Sequence, residues 1–315
     1  MHLWPPEFEQ HRQEARAAAE VAFGDIASDP NQPPGDPLEN LMAARGGAAS
    51  LFPFRAENAQ DRTISGVPCR IIEPPGEING VYLHFHGGGM ALASPELNDD
   101  QNLLLATELG IAVLSVDYRL APEHPYPAAI EDGIAVASWL IDNSDRTFGA
   151  TTLLVGGESS GAYLAAMVLL SLRDEYDVSP FSAANFVFGV FDWGRSPSQR
   201  GFRAGAGPDW LTPESMAEFS DFYLPGLTDD ERRDPSISPA FADLSLMPPA
   251  LFTVGTLDHM FDDTIMMAAR WAASGSITEL AVYPDCGHGF HWFTDTELSR
   301  RSVLRIHDFL QEHLA

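Results

Sequence analysis

Hydrophobic and polar positions along this 315-residue chain fall into two rhythms. Up to about residue 55 the pattern is helical or irregular, with no convincing strand. "FEQHRQEARAAAEVAF" is rich in helix formers, and the Pro- and Gly-rich "SDPNQPPGDPLEN" then breaks the chain. From about residue 62 short apolar runs with β character appear: "GVYLHFH", "IAVLSVDY", "TTLLVGG", "NFVFGVF", "ALFTVGT" and "ELAVYPD". Between them lie longer helical stretches, among them "PELNDDQNLLLATELG", "YPAAIEDGIAVASWLID", "SSGAYLAAMVLLSLRDEY" and "DDTIMMAARWAA".

Continuous apolar runs separated by amphipathic helices predict a mostly parallel sheet covered on both faces, the α/β class. Residues 194–235 interrupt the alternation with an aromatic-bearing stretch that lacks strand periodicity and suits an inserted helical piece. The expected division is N-terminal cap helices over 1–55, an α/β core over 56–193, a cap insertion over 194–235 and the rest of the core over 236–315. Aromatic residues in the two helical parts (Trp4, Phe8, Phe23, Phe202, Trp210, Phe219, Phe222, Tyr223) suit cap packing or the wall of an apolar pocket.

Composition narrows the partners. Forty-five Asp and Glu stand against 18 basic residues, all of them Arg, for a net charge of −27. Such a surface repels phosphate backbones and anionic lipid, so nucleic-acid binding is not expected. The lysine-free, acid-rich balance suits a saline or otherwise unusual source, a hypothesis that a stability series flat against salt would contradict. Cys69 and Cys286 match no metal or redox spacing and are read as free buried thiols. The first residues carry charge without an apolar stretch after them, and Ala162 to Leu172 is too short to span a bilayer. A cytoplasmic protein without stable membrane insertion is expected.

The chemistry centres on "LLVGGESSGAYLAAM". G-x-S-x-G between a strand and a helix is a nucleophile elbow, whose sharp turn raises the serine hydroxyl above the sheet. Only Ser159 has glycines two before and two after, Gly157 and Gly161; centred on Ser160 the motif fails. The competing reading of Ser159 is a helix N-cap after a glycine turn. Ser160 is wanted for its backbone N–H, a standard oxyanion donor. A second donor set follows a strand in "YLHFHGGGM", where the glycine loop His86-Gly87-Gly88-Gly89 presents backbone N–H groups and His86 holds the loop in shape.

In an α/β-hydrolase the acid and base follow the nucleophile in the order Asp, then His. Asp258 ends the strand in "ALFTVGTLDHM", and His288 ends the next in "ELAVYPDCGHGF". His288 is then the general base and Asp258 its orienting acid. Asp262 and Asp263 are rivals for the acid but are expected to cap the following helix, and Asp285 lies too near His288. His291 is the rival base, expected in the pocket wall or at the surface. Glu158 either tunes the site electrostatically or supports the loop. A metal held by His84, His86, His288 and His291 has no acidic ligand at a recognised spacing, so no metal is expected. Asp117, Arg119 and Glu123 in "DYRLAPEHPYPAAIED" read as scaffold.

These motifs together ("HFHGGGM", "VDYRLAPEHPYPAAIED", "GGESSGA", "GTLDHMFDD", "DCGHGF") resemble the bacterial esterases of the hormone-sensitive lipase family, in the α/β-hydrolase superfamily. The resemblance covers roughly residues 80–310. It implies an α/β-hydrolase fold, with a helical cap built from the N-terminal segment and an insertion after the sixth strand. It also implies hydrolysis of short- to medium-chain carboxylic esters without a metal or organic cofactor, with Ser159, Asp258 and His288 as triad, the N–H groups of Gly88, Gly89 and Ser160 as oxyanion donors and Gly87 shaping the turn. The resemblance alone admits a homodimer. Three departures stand out: Ser160 where the family usually has Ala, Ala162 where it has Gly, and Met90 where an aromatic often follows the glycines. Lactonase, arylesterase or amidase chemistry uses the same triad, and a non-catalytic receptor on this fold is the rival from another class.

Overall fold

Each of the six apolar runs forms a strand in the computed structural model, which describes residues 3–23, 35–51, 53–176, 180–201 and 211–314. They are β3 (Gly80–Phe85), β4 (Ile111–Val116), β5 (Leu153–Glu158), β6 (Ala183–Val187), β7 (Ala250–Gly255) and β8 (Thr278–Tyr283). Every residue of β3 to β7 is buried. This is the pattern expected of parallel strands covered by helices on both sides.

The covering helices come in sequence between the strands. They are α3 (Asp99–Leu109), α4 (Ala128–Phe148), α5 (Ser160–Tyr176) and α7 (Phe261–Ala273), with α9 (Glu297–Glu312) closing the chain. Because successive strand residues point to opposite faces, one strand feeds two cores. Val81, Leu83 and Phe85 pack with Val136 and Leu140 of α4, Leu164 of α5 and Trp271 of α7. Tyr82 faces the other way, with Leu105 of α3 and Ile306 and Phe309 of α9.

Two strands and one helix go beyond the apolar-run pattern. β1 (Gln60–Ile64) and β2 (Val67–Ile72) form an antiparallel hairpin. Its two-residue turn, Ser65-Gly66, has both residues at positive φ (50° and 86°), which suits the twist of a tight hairpin. The sheet therefore has eight strands in the order β1-β2-β4-β3-β5-β6-β7-β8, antiparallel from β1 to β4 and parallel from there on. β1 is polar, with four of five residues exposed, and β2 carries Pro68, so neither reads as a strand by apolar content. α9 starts at Thr296, whose hydroxyl accepts from Ser299 N (3.1 Å), and buries Leu298, Ile306, Phe309 and Leu310.

The N-terminal stretch is helical, with α1 (Arg12–Phe23) and α2 (Pro37–Leu51). Between β6 and β7 lies α6 (Pro213–Tyr223), begun by Thr212 in a reciprocal capping box with Ser215. Phe202 and Trp210 lie outside the described residues. Arg119 ties the connection after β4 to α4 through Asp132 (2.9 and 3.0 Å) and Glu131 (3.0 Å). Cys69 and Cys286 are buried and free. Among the described residues, no helix is long and apolar enough to cross a membrane.

Candidate active site

Ser159 stands between the last residue of β5 and the first of α5, at φ +55°. A non-glycine residue is rarely held there, and the surroundings fix it from three sides. Its N–H donates to Val187 O (2.9 Å), and its carbonyl accepts from the N–H groups of Ala162 (3.1 Å) and Tyr163 (3.3 Å). The flanking glycines let the turn close: a Cβ on Gly157 or Gly161 would run into the carbonyl oxygen of Phe85 on the neighbouring strand. The serine hydroxyl turns to His288 rather than back into its own helix.

His288 and Asp258 arrive from the loops after β8 and β7, at the same end of the parallel strands. His288 Nδ1 lies 3.0 Å from both carboxylate oxygens of Asp258, and His288 Nε2 lies 3.0 Å from Ser159 Oγ. A carboxylate only accepts, so Nδ1 carries the proton and Nε2 is left to accept from the serine. Met260 N also donates to Asp258 Oδ1 (2.7 Å), which fixes the carboxylate from behind. His288 and Asp258 are almost fully buried, and Ser159 is 9% exposed. Phe188, just beyond β6, presses its ring edge-on against His288 (4.7 Å).

The glycine loop follows β3. Gly88 and Gly89 have positive φ (124° and 62°), and a side chain on Gly88 would meet the carbonyl of Leu92. A Cβ at Gly89 would lie 2.7 Å from the ring of Phe219 on α6, so the inserted segment packs directly on this loop. A Cβ at Gly87 would lie 3.4 Å from both Ser159 Cβ and Trp292 Cη2, which places the loop beside Ser159. Among the described residues, the N–H groups of Gly88, Gly89 and Ser160 donate to no protein acceptor. His86 Nδ1 donates to Gly87 O (2.7 Å), and its ring stacks on Tyr118 (4.3 Å), whose hydroxyl donates to His86 O (2.7 Å). Burial lowers the His86 pKa to about 4, so the ring is neutral at pH 7.

Glu158 points away from the reacting hydroxyl. It accepts from His84 Nε2 and Asn98 Nδ2 (both 3.0 Å), while His84 Nδ1 accepts from Ser115 Oγ (2.6 Å). Its partners are side chains beneath the elbow, not loop backbone, and both His84 nitrogens are thereby occupied. Among the described residues, no three His, Cys, Asp or Glu side chains are grouped to hold a metal ion.

The rival acids do something different from helix capping, which corrects that expectation. The N-cap of α7 is Met260, with no side-chain cap. Asp262 accepts from Ser198 N (2.9 Å). Asp263, fully buried, accepts from Phe191 N and Asp192 N (both 2.8 Å), Ser196 Oγ (2.5 Å) and Gln199 Nε2 (2.8 and 2.9 Å). Burial pushes its carboxyl up to about 7, against the pull of these donors. Asp285 is engaged by Arg12 of α1 (3.0 and 3.3 Å). His291 is buried beside Phe188 (ring centroids 5.1 Å), with its pKa lowered to about 4 by burial, and neither of its ring nitrogens has a hydrogen-bond partner among the described residues. Phe188 and Trp292 carried no sequence signal as site residues, because an apolar residue at a strand end or in a loop reads as packing.

Comparison with known proteins places the chain. The alpha/beta hydrolase fold family matches residues 82–292. Carboxylic ester hydrolase LipN of Mycobacterium tuberculosis is 30% identical over 243 residues, covering 71% of this chain and 61% of LipN's length. Esterase LipI of the same organism is 33% identical over 234 residues, 72% of either chain. The crystal structure of a hormone-sensitive lipase from a metagenome library superposes with a TM-score of 0.82 at 26% identity, covering 96% of this chain and 98% of that one. The chain belongs to the α/β-hydrolase fold family, on its hormone-sensitive lipase branch.

Proposed function

We propose that this chain is a serine carboxylesterase that hydrolyses short- to medium-chain carboxylic esters through an acyl-enzyme. The observation that carries the reading is the single hydrogen-bonded line from Ser159 Oγ through His288 to Asp258. Relatives that include a carboxylic ester hydrolase and an acetyl esterase support it.

In the first half-reaction Ser159 Oγ adds to the ester carbonyl carbon as its proton passes to His288 Nε2. Asp258 stabilises the imidazolium. The carbonyl oxygen becomes an oxyanion and takes the N–H groups of Gly88, Gly89 and Ser160, each such donor being worth roughly 10²–10³ in rate. Collapse breaks the bond to the alcohol oxygen, which leaves with the proton from His288. In the second half-reaction a water gives its proton to His288 and adds to the acyl carbon; collapse then releases the acid and restores Ser159. His86 and Gly87 keep the glycine loop in shape, and Glu158 supports the elbow from below. Because the serine must give its proton to neutral His288, the rate falls on the acid side.

The N-terminal helices (1–55) and the insertion (194–235) act as a cap over the core formed by 56–193 and 236–315. The contact of Phe219 with Gly89 supports a cap that bounds the substrate's room. A small-molecule ester needs no metal or organic cofactor on this route. The test is labelling with a fluorophosphonate, read by peptide mass spectrometry, beside a panel of esters of increasing acyl length, lactones and anilides. Modification of Ser159 and fastest turnover of the short esters are expected. Modification elsewhere, or preference for a lactone or anilide, would overturn the assignment.

A further inference from the structure

The loop that carries Gly88 and Gly89 holds four residues in left-handed backbone: Gly88, Gly89, Met90 (φ 62°) and Ala93 (φ 70°). For Met90 and Ala93 this conformation is unfavourable, and it persists only where neighbours over-determine it. Within the loop, Ala91 N and Leu92 N both return to Gly88 O (3.1 and 2.8 Å). From outside, Ala121 N donates to Met90 O (2.8 Å). Besides Phe219 packed on Gly89 and His86 bonded to Gly87 O, a further restraint comes from the N-terminal segment. Arg45 of α2 donates from Nε to Ala91 O (2.8 Å) and from Nη2 to Ala121 O (2.6 Å), and its fork closes on the Glu123 carboxylate (2.7 and 2.9 Å).

One guanidinium thus staples the loop after the glycines to the connection after β4, across 46 and 76 residues of sequence. The two carbonyl contacts are part-buried, whereas the pair with Glu123 is open to water and contributes little by itself. The planar fork suits this task, since it serves two carbonyls and a carboxylate in fixed directions. A lysine ammonium in its place is a point donor on a flexible stem.

We propose that Arg45 is a positioning residue for the oxyanion loop, holding the N–H groups of Gly88 and Gly89 where the developing oxyanion needs them. The proposal rests on the esterase reading above, and it makes the N-terminal helix part of the catalytic apparatus. Arg45 acts through the backbone of Ala91 and never touches the ester.

The test uses the full chain and compares wild type with Arg45→Ala, Arg45→Lys and, as a control, Arg173→Ala. Arg173 also donates to two backbone carbonyls (Asp243, 2.5 Å, and Ser245, 3.1 Å), but sits about 20 Å along α5 from the elbow. The readouts are kcat and KM on p-nitrophenyl butyrate, and inhibition by a trifluoromethyl ketone. The ketone adds Ser159 Oγ to its carbonyl carbon, passes the serine proton to His288, and needs the same oxyanion donors.

Arg45→Ala is expected to lower kcat about 10- to 100-fold with KM within about twofold, and to weaken the ketone by the same factor. Arg45→Lys should fall between it and wild type, and Arg173→Ala should leave the ketone affinity unchanged. Wild-type kcat and ketone affinity in folded Arg45→Ala overturn the proposal while the esterase reading stands. Should Arg45→Ala not fold, the same result in Arg45→Lys overturns it. A wild-type protein that turns over no ester and binds no ketone overturns the esterase reading and this proposal with it.

Discussion

The two sides of the sheet make a useful contrast. From β3 to β8 the strands run parallel, β3 to β7 are buried throughout, and every group of the proposed triad and oxyanion hole stands in a loop or turn at one end of these strands. On the other side, the β1–β2 hairpin is antiparallel, its outer strand is polar and exposed, and no part of the site rests on it. Burial on both faces leaves a strand little freedom, so its end is a rigid platform for a hydroxyl that must meet an imidazole at 3.0 Å. The outer strand β1, with four of its five residues exposed, has no such burial, and charges along it discourage pairing with another chain.

Substitutions can break or sharpen this contrast, beginning with the largest effect. Ser159→Ala should lower kcat by about 10⁴-fold or more on a chromogenic short-chain ester, while Ser160→Ala keeps most of the rate because its backbone N–H remains. The reverse result would show that the elbow is centred one residue later. Gly161→Ala pushes a methyl group into the Phe85 carbonyl and should cost about 3 kcal/mol of stability in denaturant melts, with activity lost alongside. A melt indistinguishable from wild type would mean that the platform is softer than its packing suggests.

Acid should act through the same buried side. His86 and His291 are held neutral, with pKa values of about 4 against an ordinary 6.5. An unfolded chain takes up these two protons as pH falls below about 6.5, while the folded one resists until about 4. Their contribution to stability is therefore full above 6.5 and is lost as pH falls toward 4. Asp263, raised to about 7, works in the opposite sense, its contribution falling as pH rises from about 4 to about 7. Melting temperatures of wild type and His291→Leu between pH 7 and 4.5 should show a shallower acid loss in the variant; equal slopes would remove His291 from this account. Smallest of all, Thr63→Ala on β1 should change stability by no more than about 0.5 kcal/mol and leave kcat alone. A large loss of activity there would erase the contrast between the two sides.

The same contrast explains what was legible in the sequence. Strands buried on both faces must be apolar throughout, so β3 to β7 announce themselves, and with them the sites at their ends. β1 is spelled "QDRTI" because water covers most of it, and only its pairing partner makes it a strand. Ser159 could be separated from Ser160 because glycine at two fixed offsets has a steric cause, visible here at the Phe85 carbonyl. Asp263 was read as a local cap because local contacts are all that spacing can suggest. Its real partners, Phe191 to Gln199, lie some 64–72 residues away. Arg45 is the extreme case: its three oxygen-bearing partners come from two distant loops, and nothing in "LMAARGG" hints at either.

The hydrogen bond between Ser159 and His288 spans 129 residues of chain, and the segments between them must build three more strands of the sheet before the two meet. Closing so long a loop is entropically unfavourable until those strands have docked. The proposed catalytic line is therefore among the last contacts to form as the chain folds, and a nascent polypeptide ending before β8 carries Ser159 without His288. Recovery of ester turnover after dilution from denaturant should accordingly lag behind recovery of helical signal, so that activity times the completion of folding.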